Sequence, residues 1–266
     1  MIGVSDTQPT NDKYPAAGPC VLGPVGDGTV RRRAASLAHA LATSRNLDLL
    51  VSSELSSTNA ELLPESHRES HCSSTTGIET GETLDPVVSR HNPSALVVKR
   101  NTGGRLFGGL FSDRAERLST TTDVLTVDGR GDTDRIASVL VPIAGGDHSQ
   151  LAVETGLAVA RANDAAVDLF HVIEDDSEAA RDRGQTLLDS VMAAISDAEA
   201  DRVDTWLYEA PDAPEAITEQ SRYYDLTVMG APTDGPLERF VFGSTSKQVQ
   251  READSPVIVA HAKNVE

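Results

Sequence analysis

The chain has 266 residues, with 41 acidic side chains against 23 basic ones and a net charge of −18. That balance lacks the basic footprint with which nucleic-acid-binding proteins neutralise phosphates, so DNA or RNA is excluded as an expected partner. At roughly 100 to 200 residues per domain, the length fits one large or two ordinary domains. The lysines are Lys13, Lys99, Lys247 and Lys263, and arginine supplies nearly all the other positive charge. Self-repulsion of this size keeps a chain soluble but opposes compaction unless salt screens it, which reads as salt adaptation, with a simply acidic protein as the alternative. Cys20 and Cys72 are too few for a disulfide framework or a zinc site. No apolar run reaches the roughly 20 residues of a membrane helix, and the start lacks a signal peptide's basic and apolar regions. A cytoplasmic protein without a membrane segment is expected.

In chain order, residues 1–17 read as a disordered tail. Residues 45–50 and 94–98 are short apolar runs. Between them, 52–71 is rich in Ser, Glu, Thr and His and buries too little to offset ordering entropy, so a mobile loop is expected. Residues 99–113, with Gly103, Gly104, Gly108 and Gly109, form a flexible loop in which Lys99, Arg100 and Arg105 make either an anion site or a salt-bridging surface. Val124 to Val127 reads as a strand, and 128–134 as a linker.

The second half alternates cleanly. Residues 138–143 read as a strand ending in a Gly145-Gly146 turn, and Leu151, Val153, Leu157, Ala158 and Ala162 then recur at helical spacing. A strand over 167–173, a helix pattern over 175–200 and a strand over 203–208 follow. Pro214 opens a further helix to about Tyr223, where its missing N–H costs nothing. A strand over 226–229, a helix over 244–252 and a last strand over 256–260 complete the series. This alternation predicts a parallel sheet covered on both faces.

The first half is a worn copy of the second. Residues 45–50 match 165–170 at an offset of 120, Leu37-Ala38 matches Leu157-Ala158 in the same register, and 94–98 matches 225–229 at 131. Duplication predicts two similar domains. Their closing strands, Val124 to Val127 and Val257 to Val259, are sheet edges in need of cover and can pair within the chain as a pseudo-dimer.

The segment from Met229 to Ser246 leaves the carboxyl end of a strand and enters a helix through Gly243, Ser244, Thr245 and Ser246. Backbone N–H groups at such a helix start attract anions, and open α/β sheets bind ligands at this end. The hydroxyls serve equally well as simple helix caps.

The runs Val139-Leu-Val-Pro-Ile143, Asp168-Leu-Phe-His-Val-Ile173, Asp225-Leu-Thr-Val-Met-Gly-Ala231, Phe242-Gly-Ser244 and Ser255-Pro-Val-Ile-Val259 resemble the universal stress protein family over 139–261. The resemblance implies an α/β fold of two tandem five-stranded parallel sheets flanked by helices. This is the Rossmann-like fold of the adenine nucleotide alpha hydrolases, here with a degenerate first copy in residues 18–128 and a full domain in 135–266. It implies ATP or AMP as ligand, with a magnesium ion left open, and a G-x-x-G-x9-G-[S/T] phosphate loop. Gly230 and Gly243-Ser244 keep that spacing, while Thr233 replaces the middle glycine and Ala144 stands where binding members carry aspartate.

The implied nucleotide site is Pro142, Ile143, Ala144 and Val172 at the base, Met229 and Gly230 beside them, and Thr233, Gly243, Ser244, Thr245 and Ser246 toward the phosphates. In the first copy Asp113 stands about where the family has its serine. A non-catalytic binding and signalling module in a stress response is expected, either a nucleotide sensor or a nucleotide-independent regulator of a transporter or another partner. The runs Val141-Pro-Ile-Ala-Gly-Gly-Asp-His148 and Met229-Gly-Ala-Pro232 also resemble the stress-protein domains attached to amino-acid transporters of salt-loving archaea. Further homodimerisation is open. Weak ATP hydrolysis has least support, because no general base or metal-holding carboxylate stands near the loop. His171 is expected to be packed and hydrogen-bonded, and His67, His71 and Cys72 form no ligand set.

Overall fold

The computed structural model of the protein describes residues 20–22, 29–47, 49–50, 92–99, 122–128, 135–231 and 248–263. The expected tail, the 52–71 loop with His67, His71 and Cys72, the loop beyond Lys99, the linker after Asp128, and Thr233, Gly243, Ser244, Thr245 and Ser246 all lie outside these residues.

The strands are β1 (Cys20–Leu22), β2 (Leu49–Leu50), β3 (Ala95–Lys99), β4 (Asp123–Val127), β5 (Ser138–Pro142), β6 (Ala166–Ile173), β7 (Val203–Glu209), β8 (Leu226–Gly230) and β9 (Val257–His261). They form one nine-stranded sheet in the order β2-β1-β3-β4-β9-β8-β5-β6-β7. All neighbours are parallel except β4 and β9. In place of two tandem five-stranded sheets, the described strands form this one continuous sheet, joined where the closing strands pair. The physical reason is the seam: β4 and β9 are apolar edges, and pairing them antiparallel satisfies both rows of backbone groups inside the core. Leu125 faces Ala260, Thr126 faces Val259 and Val127 faces Ile258, as the paired-edge expectation requires.

Polar groups lock the seam at both ends. The Asp128 carboxylate accepts from the Val257 N–H at 3.2 Å, while the Asp128 N–H donates to the Val257 carbonyl at 3.1 Å. Asp128 is therefore buried in the seam and is not part of a loose linker. At the other end the Lys263 N–H donates to Asp123 Oδ1 at 2.9 Å. Arg45, at the last turn of α1 (Thr29–Arg45), donates to Asp123 at 2.8 Å and through Nε and Nη2 to Glu154 at 2.7 and 2.9 Å. Burial opposes its charge, but the hydrogen bond and charge of Glu154 and those of Asp123 outweigh it and raise the guanidinium above its ordinary pKa.

Helix α2 (Gly146–Asn163) packs on the sheet over β5, β6, β8 and β9, beside α1 over β1 to β4, and is buried nearly all round, through Leu151, Ala152, Val153, Leu157, Ala158, Val159 and Ala160. It ends at Asp164, whose left-handed backbone closes the helix. Helix α3 (Glu178–Met192) starts where the Ser177 hydroxyl accepts from the Ala180 N–H at 3.2 Å, and it buries Ala180, Gly184 and Leu188. The single helix expected over 175–200 is broken after Met192. Ser196 adopts an extended backbone and starts the short α4 (Asp197–Ala200).

Helix α5 (Ala213–Ser221) is capped by Asp212, which accepts from the Glu215 N–H at 2.9 Å, and carries Pro214 in its first turn. It covers the other face of the sheet with helical residues 248–252, over Leu140, Phe170, Met229, Val257 and Val259. Before β8, the Asp225 carboxylate accepts from the N–H groups of Ala137 and Ser138 at 2.7 and 3.1 Å, which fixes where β5 begins.

Candidate functional site

The chain leaves β5 toward β6 and β7, then returns to β8 and β9 on the other side of β5. The carboxyl ends of β5 and β8 are thus a topological switch point, the place where open α/β sheets leave a crevice. Pairing between the two strands runs through Val139↔Leu226 and Leu140↔Thr227, and both continue past it to Pro142 and Gly230.

Two glycine features shape the crevice. Gly145 and Gly146 have φ of 92° and 74°, a left-handed turn that takes the chain from β5 into α2. No side chain caps the start of α2, and the Ser149 hydroxyl accepts instead from the Ala144 N–H at 3.2 Å. At the end of β8, a Cβ on Gly230 would lie 2.9 Å from the His148 carbonyl carbon and 3.0 Å from the Ser149 nitrogen. Only a bare backbone at position 230 allows the first turn of α2 to lie this close to the end of β8.

The described members of the predicted set divide between the faces. Ile143, 4% exposed, belongs to the core under α2, whereas Met229 and Val172 pack with Leu140 and Phe170 on the α5 side. Pro142 is buried, while Ala144 is exposed and Val172 and Gly230 are half-buried. The sheet therefore does not bring Ile143 together with Val172 and Met229 as one apolar wall. Ala144, Gly230 and Val172 are the members that reach the surface.

Three residues at this end had no sequence-based role: His148, Ser149 and His261. His148 Nδ1 accepts from the Ala262 N–H at 3.0 Å, and its ring stands edge-on to His261 at 6.4 Å. Burial first, and then the His148 charge, push His261 down to about 4. The Gly145-Gly146-Asp147-His148 run directly after a strand was the signal available for His148. His171 is half-buried, and its Nδ1 bonds the Ile143 carbonyl at 2.7 Å, so it is a hydrogen-bonded packing residue. Among the described residues, no group of three His, Cys, Asp or Glu is placed to hold a metal ion, and no helix is long and apolar enough to cross a membrane.

Residues 136–261 match the universal stress protein family. No curated protein matches the chain. Among solved structures, a universal stress protein from Archaeoglobus fulgidus DSM 4304 is similar over 94% of this chain and 98% of its own, with a TM-score of 0.57 and 16% identity. A functionally unknown protein from Pseudomonas aeruginosa PAO1 is similar over 91% and 92%, with a TM-score of 0.55 and 18% identity. The cytoplasmic domain of a prokaryotic cation chloride cotransporter is similar over 92% and 96%, with a TM-score of 0.57 and 15% identity. At such identities these likenesses bear on the fold alone.

Proposed function

We propose, from the match of residues 136–261 to the universal stress protein family, that the chain is a non-catalytic binding and signalling module of the cytoplasm whose second half holds ATP or AMP. The observation that carries this reading is the topological switch point itself, where Gly230 at the end of β8 lies against an α2 start that has no side-chain cap. Base and ribose would rest on Ala144, Val172 and the backbone at Gly230. The phosphates would lie toward Gly243, Ser244, Thr245 and Ser246, with Thr233 in place of the family's middle glycine. Ala144 cannot offer the carboxylate that binding members carry, so affinity rests on backbone and apolar contact, and magnesium would have to come with the nucleotide.

The proposed domain plan is a degenerate copy in 18–128 and a complete one in 135–266, joined as a pseudo-dimer. In its favour, the order β2-β1-β3-β4 repeats as β6-β5-β8-β9 about the seam, with the pairing between copies reversed. Nucleotide would act by shifting the population of a partner-binding conformation. The test is to purify the protein in high salt, denature it and identify what it releases. Stoichiometric ATP or AMP is the expected result. A protein that releases none and gains no thermal stability in millimolar ATP or AMP contradicts the proposal.

A second reading is favoured by the likeness in fold to the cotransporter's cytoplasmic domain, which covers 92% of this chain and 96% of that one. In it, the chain is a nucleotide-independent regulatory module and the 230–246 loop is structural. It expects partner capture to survive replacement of Gly243 and Ser244 in a folded variant.

A further inference from the structure

Among the described residues strand β7 ends the sheet, and its seven residues Val-Asp-Thr-Trp-Leu-Tyr-Glu include neither proline nor lysine, two common guards of an exposed edge. The direction of its backbone can be read from its ends. The Arg202 carbonyl accepts from the Val167 N–H, and the Ala210 N–H donates to the Ile173 carbonyl. In a parallel ladder the even-numbered residues therefore turn their N–H and C=O toward β6, and Val203, Thr205, Leu207 and Glu209 turn theirs to the open side. Trp206 is 56% exposed and Tyr208 41% exposed on the face that also carries Asp204, and Tyr208 is backed by the Phe170 ring at 5.6 Å. Trp206 is the sole tryptophan of the chain.

We propose that this edge is a self-association surface: two copies pair β7 with β7 antiparallel about a two-fold axis through Trp206. This is the register that pairs all seven residues, and it obeys the backbone direction. Thr205 meets Leu207 and Val203 meets Glu209 as hydrogen-bonded pairs, while Trp206 meets its own copy in the closer, non-hydrogen-bonded position. The charges also fit. Asp204 faces uncharged Tyr208 and Glu209 faces Val203, so no carboxylate stands opposite another, as would happen in a register centred on Asp204. Two chains of net charge −18 repel, so the pairing strengthens with salt.

The experiment is sedimentation of the full chain over a concentration series in high salt, read together with Trp206 emission and its quenching by iodide. Association with a blue shift and loss of quenching as concentration rises is the expected result. Thr205→Pro removes an N–H that faces the open side and leaves the bonds to β6 in place, so the folded variant associates at least about tenfold more weakly. Three outcomes overturn the proposal. They are a monomer at every concentration whose Trp206 is open to iodide, association that leaves Trp206 emission unchanged or survives Thr205→Pro at full strength, and a monomer whose Trp206 is already shielded. The last would mean that the edge is covered from within the chain.

Discussion

The seam and the outer edge set side by side two ways in which a β-strand can end a sheet unit. At the seam, Val124, Leu125, Val127, Ile258 and Ala260 are almost fully buried, and Asp123 and Asp128 close the ends with backbone hydrogen bonds. At the edge, β7 buries Val203 and leaves Trp206 and Tyr208 in solvent. Both strands are rich in apolar residues, so hydrophobicity alone does not separate them. The difference lies in alternation. The seam strands are apolar on both faces, which only pairing within a core can satisfy, whereas β7 alternates small or aliphatic residues with polar and aromatic ones.

The seam should therefore be costly to disturb. Leu125→Ala, at a fully buried position facing Ala260, is expected to cost about 2–5 kcal/mol in chemical denaturation. A loss below about 1 kcal/mol would mean that the two halves hold together without the seam's packing.

Acid sharpens the contrast next. His261 is held neutral by burial and by the nearby His148, down to about 4 from 6.5. Its folded pKa is depressed, so the unfolded chain takes up the proton first as the pH falls. Stability present above pH 6.5 is then lost progressively down to about pH 4, by about 3 kcal/mol at most for this one group. His261→Asn should flatten that part of the profile of stability against pH.

A smaller effect is expected at Arg45, whose side chain is 17% exposed between Asp123 and Glu154. Arg45→Ala strands the Asp123 carboxylate at the seam, while the more exposed Glu154 can turn to water, so a loss of about 2 kcal/mol is expected. Denaturation of the Arg45→Ala chain beside the Arg45→Ala/Asp123→Asn chain checks this, since removing the stranded charge should recover part of the loss.

How much of this was legible in the sequence varies by region. In the second half, strand alternation and the signals at Pro214 and Gly145-Gly146 placed β5 to β9 and their helices within a few residues. The break after Met192 was hidden, because alanine-rich sequence continues the helical pattern through a serine that adopts an extended backbone. The seam was legible as two apolar edges without cover. Arg45 was not, because its partners Asp123 and Glu154 lie far from it along the chain and no local pattern links them.

The candidate site was legible as a set of positions but not as a surface. Ile143, just past the end of β5, and Val172, in the neighbouring β6, pack on opposite sides of the sheet. The two-residue period contains that information, but a motif match discards it. His148 and Ser149 entered the crevice through the close approach of α2 to Gly230, a tertiary contact that no local pattern encodes.

The most direct test of the central claim, that the switch-point crevice holds an adenine nucleotide, is equilibrium dialysis of the protein against ATP and AMP in high salt, beside Ala144→Asp. The account predicts uptake of one nucleotide per chain, tightened by the added carboxylate at the exposed end of β5. Absence of uptake by both proteins at millimolar nucleotide would contradict it and leave the crevice as an architectural feature of an interaction module.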